Sequence, residues 1–191
     1  MATPRAPLSP EDWLTAGFRA LAAEGPSALR AESLARTLKT TKGSFYWHFA
    51  DVADFRARML TFWEARAFSD VVNRLDTRAS PQAMLRQLLA IVLGYRDPRD
   101  GGAALEPAIR AWARGDAAVA RAVARMDRRR IDYVAGLCRA CGKPDPDLPR
   151  LLYAVMVGLE AMDMTASPAD ADRNVAATLG LLEDLGIVGA W

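Results

Sequence analysis

The chain has 191 residues, 51% of them hydrophobic, with two cysteines and a net charge of +2. This composition suits a globular protein of one or two domains and excludes a scaffold built on disulfides. The sequence shows neither a leader peptide nor an apolar run of about 20 residues, so we expect a cytoplasmic protein without a membrane partner. The charge excess lies wholly in residues 1–60, with 8 Lys/Arg against 6 Asp/Glu, which weakly indicates an anionic partner for this part.

Three Ser-Pro pairs predict helix starts, at Ser9, Ser80 and Ser167. A serine side chain can accept a hydrogen bond from a free backbone N–H, and proline is tolerated at the first helical position. Between these points apolar residues recur at steps of three and four, and no alternating strand pattern is present. We therefore predict an all-α fold of about nine helices.

Residues 27–49 have the spacing of a helix-turn-helix motif. Leu34 and Leu38 lie four apart on one short helix, residues 39–41 interrupt it, and a second short helix follows. At about 100° per residue, Phe45 faces the first helix, and Phe49 is also predicted to be core.

The outward surface of the second short helix carries groups that suit a DNA groove. Glycine permits a close backbone approach, and lysine and serine can donate to bases or phosphates. Tryptophan can contact thymine methyls, and tyrosine and histidine can bond phosphates. The alternative roles are structural for Tyr46, and capping or packing for His48. The predicted DNA-binding residues on this surface are Thr41, Lys42, Gly43, Ser44, Tyr46, Trp47 and His48.

The motif K-G-S-F-Y-W-H-F, following S-L-A-R-T-L, resembles the DNA-binding signature of TetR/AcrR-type (tetracycline-repressor-like) transcriptional regulators. The resemblance covers residues 9–63. It implies a helix-turn-helix DNA-binding domain over residues 1–50 and a helical effector-binding and dimerisation domain over residues 51–191. It also implies that Thr41, Lys42, Ser44 and Trp47 face the groove, while Tyr46 and His48 clamp phosphates.

The motif departs from the family pattern at two points. Lys39 stands where many members have a glycine, at a turn that can need a positive φ, so we expect either strain of about 1 kcal/mol or a slightly different turn. Many members also carry a lysine shortly after the position of His48, where this chain has none until much later. Arg30 is our candidate for the missing phosphate contact.

Two apolar segments near the C-terminus, over residues 151–159 and 175–182, are predicted to be buried against other helices. A monomer could bury both, but the resemblance implies that they pair with their copies in a homodimer on a palindromic operator. The predicted dimer-interface residues are Leu152, Val155, Met156, Leu159, Val175, Leu179 and Leu182.

The middle of the chain carries aromatic residues and methionines that form either plain core or a pocket for the small-molecule effector that the resemblance implies. The candidate pocket residues are Trp63, Met84, Tyr95, Trp112, Met126 and Tyr133. The run Arg128, Arg129 and Arg130, between Asp127 and Asp132, is interpreted as a solvated helical face with ion pairs.

Cys138 and Cys141 form a C-x-x-C pair without a second cysteine pair or a nearby histidine. We therefore predict buried or idle thiols rather than a redox or metal site, no metal and no cofactor. A single histidine and the absence of a recognisable catalytic motif favour a protein that is not an enzyme. The predicted function is that of a homodimeric repressor released from DNA by a small effector; the alternatives are a helical protein-interaction module or an enzyme.

Overall fold

The computed structural model describes residues 8–94, 102–162 and 167–187, and over these residues the chain forms nine α-helices and no strand. The predicted all-α fold is confirmed. The helices are α1 (Pro10–Glu24), α2 (Ala31–Thr37), α3 (Lys42–His48), α4 (Val52–Val72), α5 (Pro81–Leu93), α6 (Leu105–Ala113), α7 (Ala117–Ala140), α8 (Leu148–Ala161) and α9 (Pro168–Asp184).

The three Ser-Pro pairs begin α1, α5 and α9 as predicted. In each case the serine Oγ of Ser9, Ser80 or Ser167 accepts a hydrogen bond of 3.2 Å from the backbone N–H three residues later. At α1 the bond is reciprocated, because Asp12 Oδ2 accepts from the Ser9 backbone N–H at 2.7 Å. These local bonds satisfy backbone donors that the first turn of a helix leaves free.

An aromatic cluster joins α1, α3 and α4. Phe45 and Phe49 are buried, as predicted, and their ring centroids lie 5.0 Å apart. The Trp13 ring meets Phe45 edge-on at 5.4 Å, and the Phe55 ring lies 5.3 Å from Phe45 and 5.0 Å from Phe49. Because Phe55 belongs to α4, the helix-turn-helix and the beginning of α4 share one core.

Gly17 lets α1 and α4 come into close contact. A Cβ atom at this position would lie 2.6 Å from Phe55 Cζ and 2.9 Å from Met59 Sδ, both closer than packed atoms tolerate. The glycine therefore sets the point where the two helices cross.

The C-terminal part of the chain has a second core. Helix α5 packs against α7 and α9, and α7 packs against α8. Leu85, Leu89, Leu137, Leu152 and Leu182 are among its buried residues.

Candidate functional site

Helix α3 is held by its inner face and capped at its start. The Thr41 Oγ1 atom accepts a hydrogen bond of 3.3 Å from the Ser44 backbone N–H, which fixes the first turn. Phe45, fully buried, anchors the opposite side of the helix to the aromatic cluster. The two features orient the remaining side chains of a seven-residue helix that is too short to be stable alone.

The seven predicted residues 41–44 and 46–48 all keep contact with solvent. Trp47 is 88% exposed and Tyr46 is 46% exposed. Thr41, Lys42 and Gly43 are also exposed, while Ser44 and His48 are partly buried. An indole so fully in water, on a helix whose other face is packed, is available to an external partner.

Gly43 is not required by the packing of the chain itself. Its backbone φ is not positive, and a Cβ atom here would meet only Thr41 Oγ1, at 3.7 Å, among the described residues. Glycine is a poor helix former, so in this position it lowers the stability of α3 without an internal reason. The feature it provides is an open backbone surface beside Trp47.

Lys42 is ion-paired to Glu32, on the first turn of α2, and its Nζ lies 5.8 Å from the centroid of the Tyr46 ring. The hydrogen bond between the two side chains raises the pKa of Lys42 and lowers the pKa of Glu32. The sequence reading missed Glu32, because the two residues are ten apart and only the turn between α2 and α3 brings them together.

The turn between α2 and α3 has the positive φ that we expected because many members of the resembled family carry a glycine at this position. Lys39 has φ = 54°, the one positive φ outside glycine in the part of the chain that the structure describes. The strained-turn alternative is thus confirmed. Arg30 is exposed at the N-cap of α2, and its role as a phosphate contact stays a prediction.

The start of α4 presents carboxylates rather than the lysine of the family pattern. Asp51 Oδ1 accepts from the Asp54 backbone N–H at 2.7 Å, and Asp54 Oδ2 accepts from the Ala50 backbone N–H at 3.0 Å. Arg58, one turn further along α4, donates to Asp54 Oδ1 at 3.0 Å. The side chains of Asp51 and Asp54 are therefore used to cap backbone N–H groups at the start of α4.

A cavity of about 670 Å³, the central cavity, lies among α4, α5, α7 and α8. Of the six candidate pocket residues, Trp63 and Tyr133 line it. Trp112 and Met126 do not, because they are buried in the core shared with α1 and α4. Met84 instead packs against the C-terminal core, and Tyr95 lies outside the described residues.

A buried charge pair forms part of the wall of the central cavity. The Arg130 guanidinium donates to Glu106 Oε1 at 2.8 Å and to Oε2 at 3.2 Å, and Trp63 Nε1 donates to Glu106 Oε1 at 3.1 Å. Burial alone would lower the pKa of Arg130, but the attraction of Glu106 outweighs it and the pKa is raised. The solvated-face interpretation is therefore wrong for Arg130, since spacing along α7 did not reveal its buried partner on α6.

A second pair adjoins the first. Arg110 donates to both carboxylate oxygens of Asp127, at 2.7 and 3.1 Å. The Tyr153 hydroxyl donates to Asp127 Oδ1 at 2.7 Å and accepts from Arg110 at 2.9 Å and from Arg130 at 3.4 Å. Burial raises the pKa of Tyr153 to about 12. The network ties α6, α7 and α8 together.

The predicted dimer-interface residues differ in how far this chain buries them, and their role at an interface stays a prediction. Leu152, Met156, Leu179 and Leu182 are buried within the chain, so they leave little surface for a partner. Val155 is exposed, whereas Leu159 and Val175 are partly buried. The apolar side chains that α8 and α9 leave between 44% and 70% exposed are Leu151, Val155, Met162, Leu181 and Leu185. We call these five residues the α8–α9 face.

Nothing in the described residues supports a metal or reactive-thiol site. No group of three or more His, Cys, Asp or Glu side chains converges there. Burial raises the pKa of both Cys138 and Cys141, which disfavours the thiolate needed for redox chemistry. None of the described helices is both long and apolar enough to cross a membrane.

Searches of family models and of curated proteins find no match to the chain. Solved structures do match. A transcriptional regulator from Rhodococcus sp. Rha1 has a TM-score of 0.75 and 18% identity, covering 93% of this chain and 97% of that one. A TetR-family transcriptional regulator from Streptomyces coelicolor has a TM-score of 0.75 and 19% identity, covering 91% and 88%. A TetR-family member from Streptomyces coelicolor A3 has a TM-score of 0.61 and 22% identity, covering 87% and 95%.

This chain has the TetR-type fold. The match extends over both the helix-turn-helix and the helices around the central cavity, since it covers most of each chain. At these identities the likeness establishes the fold, and the function must come from the residues of this chain.

Proposed function

We propose that the protein is a DNA-binding transcriptional regulator, a homodimeric repressor that a small-molecule effector releases from a palindromic operator. Residues 1–50 would bind the DNA, and residues 51–191 would bind the effector and dimerise. The proposal rests chiefly on the surface of α3, where Gly43 exposes backbone beside the open indole of Trp47.

The chemistry of this surface favours DNA over a protein partner. A helix in the major groove reads base edges at van der Waals distance, and a glycine without an internal role permits that approach. Thr41, Lys42, Ser44 and His48 add hydroxyl, ammonium and imidazole groups that can contact phosphates or bases. Three solved structures with this fold are described as transcriptional regulators and a fourth as a member of the TetR family, which supports the same conclusion.

The α8–α9 face supports the homodimer. Leu151 and Val155 lie four residues apart on α8, followed by Met162 just after its end, and Leu181 and Leu185 lie four residues apart at the end of α9. Gly158 lies on the same side of α8 as Leu151 and Val155 and has open space where a Cβ would stand, so a second copy of the helix can approach closely there. A two-fold pair would present two copies of α3 to successive major grooves.

Release by an effector requires that the ligand bind the two geometries of the dimer with unequal affinity. A ligand in the central cavity must prefer the dimer geometry whose α3 helices are misplaced for the DNA, because equal affinity for both geometries shifts nothing.

The decisive test is fluorescence anisotropy with the DNA that flanks the protein's own gene, comparing wild type with Gly43→Ala. We expect the variant to be at least as stable thermally, since alanine favours a helix. We expect its operator affinity to fall by roughly tenfold or more, equivalent to about 1.4 kcal/mol, because the methyl group intrudes on the DNA contact. Operator binding equal to wild type would contradict the site assignment.

The matched control is Gly136→Ala, on α7. A Cβ there meets only Arg139 Nη2, at 3.9 Å, so the variant should be at least as stable as wild type, like Gly43→Ala, but its DNA affinity should be unchanged. Varying the salt concentration separates DNA binding from a protein-interaction role, since phosphate neutralisation gives a steep fall in affinity with salt.

The dimer is tested by sedimentation of Leu181→Glu, with Ala118→Glu as an exposed control on α7. We expect the first variant to sediment as a helical monomer with weakened operator binding, and the control to remain dimeric. A dimeric Leu181→Glu protein would place the interface elsewhere.

A further inference from the structure

The walls of the central cavity are mostly apolar. Aliphatic and aromatic side chains of α4, α5, α7 and α8 supply them, and the volume of about 670 Å³ lies within the range of sites for drug-sized molecules. Representative lining residues are Phe62, Phe68, Leu88, Ile91, Val134 and Met156. Most of a bound ligand would therefore lie against hydrocarbon.

The charged side chains of the wall neutralise one another. Both carboxylate oxygens of Glu106 accept from Arg130, and Arg66 pairs with Asp70 at 3.1 Å. The Tyr153 hydroxyl already donates one hydrogen bond and accepts two. An ionic group of a ligand would have to break these pairs or be buried without a counter-charge, and both are unfavourable.

Arg74 is the exception among the charged lining residues, because it has no ion-pair partner in the described part of the chain. Its side chain is exposed at the end of α4. Water screens a cation in that position, so it contributes little to binding an anion.

Tyr133 offers a polar contact that the protein does not use. It lines the cavity, its ring meets Phe68 edge-on at 5.5 Å, and no hydrogen bond to its hydroxyl is found among the described residues. A phenol is neutral at neutral pH, and burial raises the pKa of Tyr133 further. A neutral phenol can donate one hydrogen bond to a ligand oxygen and accept another.

We propose that the central cavity binds a neutral, largely apolar molecule carrying a hydroxyl or carbonyl oxygen, which hydrogen-bonds to Tyr133. Carboxylates and ammonium compounds of equal chain length bind more weakly, because the described residues of the wall offer no buried charge without a partner. The role of such a molecule as the effector rests on the proposed function; its binding does not.

The test compares three compounds with the same ten-carbon chain: 1-decanol, decanoate and decyltrimethylammonium. Each displaces the neutral fluorophore N-phenyl-1-naphthylamine from the full-length protein in the absence of DNA. We expect 1-decanol to bind roughly tenfold or more tightly than either ion, and Tyr133→Phe to weaken 1-decanol binding by about 3- to 10-fold, the effect of one hydrogen bond.

The control is Ala118→Glu, at an exposed position of α7 outside the cavity lining, which should leave displacement unchanged. The same Tyr133→Phe protein should bind the fluorophore and decanoate as wild type does, which separates a lost hydrogen bond from a damaged fold. Decanoate binding as tightly as 1-decanol, unchanged 1-decanol affinity in Tyr133→Phe, or no binding of 1-decanol would each overturn the inference.

Failure of the proposed function would look different. If 1-decanol binds as expected but does not release operator DNA, or if the protein binds no DNA at all, the regulatory role fails while the ligand class stands.

Discussion

Replacing Lys39 with glycine should stabilise the protein by relieving the turn between α2 and α3. A side chain in the left-handed region costs about 1–2 kcal/mol, and Lys39 has φ = 54°. Glycine avoids this cost but loses about 0.5–1 kcal/mol more backbone entropy on folding. We therefore expect Lys39→Gly to raise the free energy of unfolding by about 0.5–1 kcal/mol, which raises Tm by about 1–4 °C in a chain of this length.

The measurement is urea unfolding followed by tryptophan fluorescence. Lys39→Ala is the matched control, because it removes the same charge and long side chain but keeps a Cβ in the left-handed turn. Lys39→Asn should fall between the two, since asparagine tolerates that region better. If Lys39→Gly is no more stable than Lys39→Ala, the turn carries no strain and the reasoning is wrong.

Two further predictions concern charges. Glu32→Gln should release Lys42 from its ion pair, giving tighter operator binding and a salt dependence steeper by about one phosphate contact in anisotropy titrations; weaker binding would show that Glu32 positions the lysine productively. For Tyr153, a pKa raised from 10 to about 12 means that stability is complete below pH 10 and falls as pH rises toward 12, by about 2–3 kcal/mol. Urea unfolding at pH 9 to 12 should show this loss in wild type and in Tyr46→Phe but not in Tyr153→Phe; an identical loss in Tyr153→Phe would assign it to another group.

The features that the sequence predicted correctly depend on neighbours along the chain. Ser9, Ser80 and Ser167 cap helices through bonds to residues three positions later, so the pattern contains both partners. Phe45 faces inward because a short helix with one apolar side has one way to pack. The positive φ of Lys39 could be expected because many members of the resembled family carry a glycine at this turn position.

The features that the sequence could not predict depend on which helix covers which face. Arg130 is buried because Glu106, 24 residues away, supplies its counter-charge. Periodicity identified α8 as apolar, but it is apolar on more than one side, so it could not distinguish buried Leu152 from exposed Leu151. Trp112 likewise could face the cavity or the core, and only the packing of α6 on α1 decides.

The close crossing of α1 and α4 at Gly17 provides a fixed point about which α4 can turn. From Met59, beside Gly17, to the end of α4 the helix runs 13 residues, or about 20 Å at 1.5 Å per residue. A displacement of about 1 Å at the cavity end of such an arm turns the helix by roughly 3°. Because Phe55 packs on Phe45 and Phe49, α3 turns with it. In the proposed homodimer the two turns would add, so the volume that a ligand occupies would be converted into an angle between the two copies of α3.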